Sequence, residues 1–404
     1  MSAFLWVIDL PFANRHHHGG LLRYFNLSRH LLAQGHSVTF AVRFDQDRDQ
    51  ASAWLESLRE AGTFTDFCAI DIDPSLPRWH PAANLLLPFG VHGLLTRPFL
   101  NSVIAALNTL AERYNVDTVI VSSPQLLFAA HHFKARFLIG DFCDSLTLYR
   151  WRESRHALAC GNFRKAITEL WYCFHFLFQE RYSSRDYTAN IFVSEVDKRI
   201  FDRIGDPSRN FCITNGIQFP NKSGTPKKPL QLVFSGAMNF PPNFEAALWF
   251  LDHVFPLVLA RQPNATIVIA GAMPDPRLAA RADHNILIPG FVPDLNQVLA
   301  ESALYVAPLV SGSGFKNKIV EAIVSGTFIV GTSFSVEFLP PEIRSLIEVR
   351  DDPTAMADAI CEVLAHPEAF SDRLARLSGF IARDYSWPAK AAELARLADR
   401  SSPV

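Results

Sequence analysis

The sequence predicts an α/β protein of two doubly wound domains, each a parallel sheet with helices on both faces. Three observations carry that expectation. Short apolar runs alternate with helical patterns from the first residues to about residue 141, the rhythm of parallel βαβ units. The same rhythm restarts at "LQLVFSG" (230–236). Between the two lies "NGIQFPNKSGTPKKP" (215–229), whose Gly, Pro, Lys and Ser are the chemistry of a linker. At 404 residues the chain also exceeds one ordinary core, since a domain takes roughly 150 residues. The predicted division is a first domain over 1–214, a hinge over 215–229 and a second domain over 230–384.

In the first half, "FLWVID" (4–9) is a short apolar strand. A loop ending in His18, Gly19 and Gly20 leads into "LLRYFNLSRHLLAQG", whose apolar residues recur at helical spacing and stop at Gly35. "HSVTFAV" is the second strand, and further strands are predicted at 66–72, 117–123 and 136–141. In the second half, "LQLVFSG" is followed by one helix over "NFEAALWFLDHVFPLVLARQ" and strands "ATIVIAG" and "NILIPG". A helix near 294–301, strand "ALYVAP", a glycine-relieved loop with its helix, and strand "TFIVGT" complete it. Sheets of this kind bind ligands beyond their strand ends, here in a cleft between the two domains.

The chain is 49% hydrophobic and 19% charged with a formal net charge of -2, a globular composition without a disorder signature. Near-neutrality argues against a nucleic-acid partner, which would need a basic footprint on phosphates. The six cysteines are scattered singly with no metal-ligand spacing, as small buried hydrophobes in a reducing compartment are. "MSAFLWVIDLPF" has no basic n-region or cleavage site, and no run reaches about 18 apolar residues. The expected location is cytoplasmic.

The stretch that carries chemistry is "SGSGFKNKIVEAIVSG" (311–326). Gly312, Ser313 and Gly314 follow a strand and precede a helix, where small residues let a ligand reach backbone N–H groups. A helix start offers unpaired N–H donors and about half a positive charge, so phosphate is the natural guest. Lys316 and Lys318 in the first turn oppose the helix dipole unless an anion joins them. Glu321, three positions after Lys318, shares its face and can accept two hydroxyl protons, as a ribose would present. The competing expectation is a surface helix with a weak Lys318/Glu321 pair.

"GSGFKNKIVEAIVSGTFIVGT" resembles the donor-site segment of family 4 glycosyltransferases, two-domain retaining enzymes of the GT-B fold. "FVSEVDKRIF", "ITNGI", "VFSGAMNFPPNFEAALWFLDHVFP" and "GFVPDLNQVLAESALYVAPL" are similar to bacterial sugar transferases of exopolysaccharide gene clusters. The resemblance implies that Lys316 and Lys318 hold a donor diphosphate and that Glu321 holds the nucleotide ribose. It also implies that Gly19 and Gly20 face the phosphates from across the cleft; His18, next to these glycines, is read from its position as a hydrogen-bond donor to phosphate or sugar. Gly236 and Asn239, in the turn after the strand that opens the second domain, stand on the donor side. It further implies retention at the anomeric carbon, no obligatory metal, no cofactor beyond the donor substrate, and a closing helix over 385–404 that returns to the first domain. Many family members carry an E-x7-E pair, and the first of those glutamates is Ser313 here.

"GDFCDS" sets Asp141 and Asp144 at the end of a first-domain strand. Either could orient or deprotonate an acceptor hydroxyl, with Asp141 favoured; the alternative is a helix-cap or turn role. Three adjacent histidines in "RHHHGG" do not converge on one ion, so no metal is expected. The aromatic runs at 78–100 and 169–182 are read as buried packing, with contact to a lipid-linked acceptor or the inner membrane face as the sharper alternative. The expected activity is transfer of a sugar from a nucleotide diphosphate sugar to a hydroxyl acceptor on a glycan or lipid-linked glycan. Two alternatives stay open: a catalytically silent sugar-nucleotide-binding partner protein, and an epimerase on the same scaffold.

Overall fold

The structure, a computed structural model, describes residues 1–10, 19–44, 48–70, 97–123, 126–127, 133, 135–219 and 225–399. Two compact units emerge. One comprises Met1–Gly216 with Trp387–Val404, the other Ile217–Ser386. The chain therefore crosses from unit to unit twice, at 216/217 and 386/387. The Ile217 N–H donates to the Tyr385 carbonyl at 2.7 Å and Ile217 forms a parallel bridge with Ser386. Gly216 lies against Trp387 so closely that a Cβ there would fall 2.5 Å from the indole.

The first unit holds strands β1 (Ala3–Leu10), β2 (Ser37–Phe44), β3 (Asp66–Ala69), β4 (Thr118–Val121), β5 (Phe137–Cys143), β6 (Ala189–Phe192) and β7 (Asn210–Cys212). Its described helices are α1 (Gly19–Ala33), α2 (Arg48–Glu60), α3 (Arg97–Arg113), α4 (Leu146–Ala159), α5 (Phe163–Ser183) and α6 (Glu195–Ile204), together with the last helix of the chain. All strand pairs are parallel, in the order β3-β2-β1-β4-β5-β6-β7. Strand alternation sorts β1 between two cores. Phe4, Trp6 and Ile8 pack with α1 and Trp387, Leu394 and Leu397 of the final helix, while Leu5 and Val7 pack with Val103 and Leu107 of α3. Burial on both faces explains why these strands read as unbroken apolar runs.

The second unit holds β8 (Lys228–Ser235), β9 (Thr266–Ala270), β10 (Ile286–Gly290), β11 (Ser302–Ala307), β12 (Phe328–Gly331) and β13 (Glu348–Val349), again all parallel, in the order β10-β9-β8-β11-β12-β13. Its helices are α7 (Pro241–Trp249), α8 (Phe255–Leu259), α9 (Pro276–Ala279), α10 (Leu295–Glu301), α11 (Asn317–Val324), α12 (Ser333–Val336), α13 (Pro341–Arg344), α14 (Pro353–Ala365) and α15 (Ser371–Asp384), and the chain's last helix is α16 (Trp387–Asp399). The stretch expected as one helix over 243–262 is divided. A π-helical turn, Phe250–Val254, separates α7 from α8, and the Phe255 N–H reaches five residues back to the Phe250 carbonyl. Pro256, which has no N–H to donate, is the sequence reason for the altered ladder. Lys227 of the linker-like stretch is also built into this unit, its ammonium donating to the Ser302 carbonyl at 2.9 Å and Thr327 Oγ1 at 3.0 Å.

One expectation of packing is overturned. The run 169–182 belongs to α5, whose Tyr172, Cys173 and Phe176 face inward while Trp171, Phe174, Phe178 and Tyr182 are exposed. A 3.6-residue helix with apolar residues on two faces cannot bury both against one neighbour. Most of the other aromatic run, 78–100, lies outside the described residues. No helix among the described residues is long and apolar enough to cross a membrane.

Candidate functional site

The second sheet changes direction between β8 and β11: from β8 the chain builds outward to β9 and β10, and from β11 to β12 and β13. Such switch points leave a crevice beyond the strand ends. The turns that leave β8 and β11 meet there. Gly236 follows β8, and Gly312, with φ +107°, follows β11; a Cβ on Gly312 would sit 3.6 Å from Pro242 at the start of α7. Beside them Gly271 admits no side chain at all, because its Cβ would fall 1.7 Å from the Gly236 carbonyl oxygen. The loop after β11 is fixed from behind by Ser335, whose hydroxyl contacts the Ala307 carbonyl and receives the Leu309 N–H at 3.1 Å.

On that platform the loop 311–316 enters α11. Gly314 has φ +73°, a conformation that costs glycine little. Phe315 anchors the loop against Phe338, with ring centroids 4.7 Å apart. Lys316 is the N-cap of α11 and makes no side-chain cap bond. Its ammonium donates to the Gly314 carbonyl at 3.0 Å, lies 3.8 Å from Glu337 and stands 4.9 Å from the Phe334 ring centre. Lys318, the second residue of α11, has a side chain 42% exposed and is paired at 2.8 Å with Glu321, whose side chain is 17% exposed. Ser311 is buried, and its hydroxyl has no hydrogen-bond partner. The apolar side of α11, Ile319, Val320, Ala322 and Ile323, is buried and holds the helix start in place.

The structure thus brings Gly236, Gly312, Ser313, Gly314, Lys316, Lys318 and Glu321 to one end of one sheet. Asn239 is in the same β8–α7 turn and is exposed. Lys318 and Glu321 pair with each other; a partly exposed pair of this kind contributes about 0.3–0.5 kcal/mol. Glu337 and Phe334 were not singled out in the sequence. Glu337 is 21 positions from Lys316, at the C-terminal end of α12, and only the fold sets them together.

In the first unit, Gly19 and Gly20 are the first residues of α1. His18 and the rest of "RHHH" lie outside the described residues. Asp141 needs correction as a base. Its carboxylate is fully buried, accepting from Arg23 at 3.2 and 3.4 Å, from Ser122 Oγ at 3.2 Å and from Cys143 Sγ at 3.4 Å. Arg23 in turn donates to the Thr214 carbonyl and Asn215 Oδ1. Burial opposes the charge on Arg23, but Asp141, Cys143 and Tyr24 together outweigh it and hold the guanidinium pKa above its ordinary value. A carboxylate so occupied has no face toward an acceptor. Asp144 is half-buried at the bend before α4, and the cap there is Ser145, whose hydroxyl accepts from Leu148 N–H at 3.2 Å. Among the described residues no three His, Cys, Asp or Glu side chains converge to hold a metal ion.

Residues 229–366 match the family model described as "Glycosyl transferases group 1". An uncharacterized 44.6 kDa protein in the cps region of Klebsiella pneumoniae is 22% identical over 194 residues, covering 44% of this chain and 49% of that protein. A phosphatidyl-myo-inositol mannosyltransferase of Mycolicibacterium smegmatis is 26% identical over 199 residues, covering 46% and 50%. The chain spans about half the length of these curated relatives. Among solved structures, Anabaena HepE in complex with UDP and glucose superposes with a TM-score of 0.62 at 12% identity, covering 99% of this chain and all of that one. Two parallel-sheet α/β units and these likenesses give the chain the GT-B fold of glycosyltransferases, with the family match falling on the unit that carries the glycine loop and the two lysines.

Proposed function

We propose that the protein is a glycosyltransferase of the family 4 type. It moves a sugar from a nucleotide diphosphate sugar to a hydroxyl on a glycan or lipid-linked glycan, with retention, in exopolysaccharide or glycoconjugate synthesis. The observation that carries this reading is the start of α11. Two ammonium groups, a glycine loop with left-handed φ at Gly312 and Gly314, and the unpartnered Ser311 hydroxyl stand at a helix N-terminus at the sheet's switch point. The UDP in the HepE structure and the mannosyl transfer of the mycobacterial relative support the substrate class.

In this reading the sugar–oxygen bond to the diphosphate breaks and negative charge builds on the leaving oxygen. Lys316, Lys318 and the helix N–H groups stabilise that charge, where fixed donors act most strongly. Lys318 leaves Glu321 for the phosphate, which frees Glu321 to accept from the ribose hydroxyls. With Asp141 sequestered by Arg23, the acceptor's proton passes to the departing phosphate oxygen, and the new bond forms on the face the diphosphate leaves. No metal takes part.

Incubation with UDP-, GDP-, dTDP- and ADP-sugars tests the reading. Nucleoside diphosphate release that depends on an acceptor is the expected result. Binding without release would identify the silent partner protein that Ser313 keeps in view, and an altered sugar still on its nucleotide would identify an epimerase. Lys318→Ala should lower kcat about 100-fold, as loss of one fixed donor does. Turnover near wild type in that variant would overturn the assignment.

A further inference from the structure

The helical hairpin of α4 and α5 is firmly built on its inner side. Glu180 of α5 accepts from Leu146 N–H at 2.6 Å and Ser145 Oγ at 3.1 Å, closing the start of α4. Arg150 pairs with Glu169 at 3.0 Å, Lys165 with Glu153 at 3.1 Å, and Ser154 Oγ donates to the Ala166 carbonyl at 2.8 Å. All three acids of the hairpin are spent on these internal contacts.

The outer side is different. Phe163, Ile167, Trp171, Phe174, Phe178 and Tyr182 run the whole length of the 21-residue α5, and each is between 53% and 71% exposed. At 3.6 residues per turn they fill one arc of about 100°, a continuous stripe about 30 Å long. The stripe displays on the order of 700 Å² of largely apolar surface, more than the largest patch of an ordinary monomer. Trp151 and Leu158 of α4 are exposed as well. Arg164 and Arg181 fall at the two edges of the arc, and Arg155 and Arg185 are also exposed. From Leu146 to Arg185 there are seven basic and three acidic side chains, a formal excess of four, in a chain whose net charge is -2.

We propose that the α4–α5 hairpin is a membrane-docking face that lays the α5 stripe into the interface of an anionic bilayer. Charge selects this occupant. A second copy of the chain would set a basic hairpin against a basic hairpin, whereas anionic headgroups complement the arginines while the rings enter the acyl boundary. The hairpin lies on the bilayer and does not span it. This docking is independent of the donor chemistry at α11.

Flotation of the full chain with vesicles of phosphatidylcholine, alone or in equal parts with phosphatidylglycerol, tests the proposal. The protein should float with the mixed vesicles and stay down with phosphatidylcholine. Trp171→Ser/Phe178→Ser should weaken binding about tenfold or more, through lost apolar insertion. Arg164→Gln/Arg181→Gln should weaken it by about fivefold per arginine and flatten its salt dependence. Both variants should keep the wild-type melting temperature and the wild-type thermal shift with nucleoside diphosphates, which separates a docking defect from failure of the donor site. No flotation with the mixed vesicles, flotation unaltered in the ring variant, or a dimer in sedimentation equilibrium that Trp171→Ser/Phe178→Ser dissolves would overturn it.

Discussion

The two sheets share a topology at their switch points and use it in opposite ways. In the first unit the strand ends around β1, β4 and β5 carry a closed polar network. Arg23, Asp141 and Ser122 are linked, Trp6 Nε1 donates to Ser122 at 2.7 Å, and Asp9 binds Arg43 and Ser123 at 2.7 and 2.6 Å. In the second unit the strand ends around β8 and β11 carry glycines, a buried hydroxyl without a partner, and two ammonium groups whose counterions, Glu337 and Glu321, are partly exposed. Polar residues at a strand end are therefore no sign of catalysis until their partners are counted. A satisfied, buried set stabilises the fold; glycines and an unpartnered hydroxyl leave space and hydrogen-bonding capacity for a ligand.

Substitutions can break this contrast. The largest effect on folding is expected for Asp141→Ala, which strands a buried guanidinium at a cost of about 3–5 kcal/mol, read as lost stability in denaturant. Nucleoside diphosphate affinity should persist in whatever fraction stays folded. An intact, fully stable Asp141→Ala protein with abolished transfer would restore Asp141 to the chemistry.

A smaller effect separates the hairpin from both sites. Burial raises the Glu180 pKa to about 7 against the hydrogen bonds it accepts from Ser145, Leu146 and Thr147. The folded state therefore prefers the protonated acid. Its stabilising effect is full below the unfolded value of about 4.5 and is lost as pH rises through about 7. Urea titrations from pH 5 to 8 should show that decline, and Glu180→Gln should flatten it. The smallest expected effect is that of Glu321→Gln: stability changed by a few tenths of a kcal/mol, as for one exposed ion pair, with nucleotide binding weakened several-fold. Unchanged inhibition by the nucleoside diphosphate would remove Glu321 from the ribose role.

Much of this architecture was legible in the sequence, for reasons particular residues make plain. "FLWVI", "LVF" and "ALYVA" are continuous apolar runs because their strands are covered on both faces, and an isolated helix of that length would be marginal in water. β6, β7 and β13, of four, three and two residues, are not among the predicted strands, their short runs giving little period to read. The run 169–182 shows in the sequence only as an aromatic stretch; that α5 carries one apolar face inward and another outward is set by its packing. The glycine loop and lysines of α11 were legible because φ > 0 and a dipole conflict are local facts. Arg23 and Asp141 are 118 positions apart, and Lys316 and Glu337 twenty-one; local pattern holds no trace of either pairing.

The central claim is that a diphosphate occupies the start of α11. Calorimetric titration with a nucleoside diphosphate and the matching nucleoside, on wild type and on Lys316→Ala/Lys318→Ala, tests it directly. Wild type should prefer the diphosphate by a wide margin, and the double variant should lose most of that margin while binding the nucleoside as before. A margin equally wide in both proteins would contradict the account.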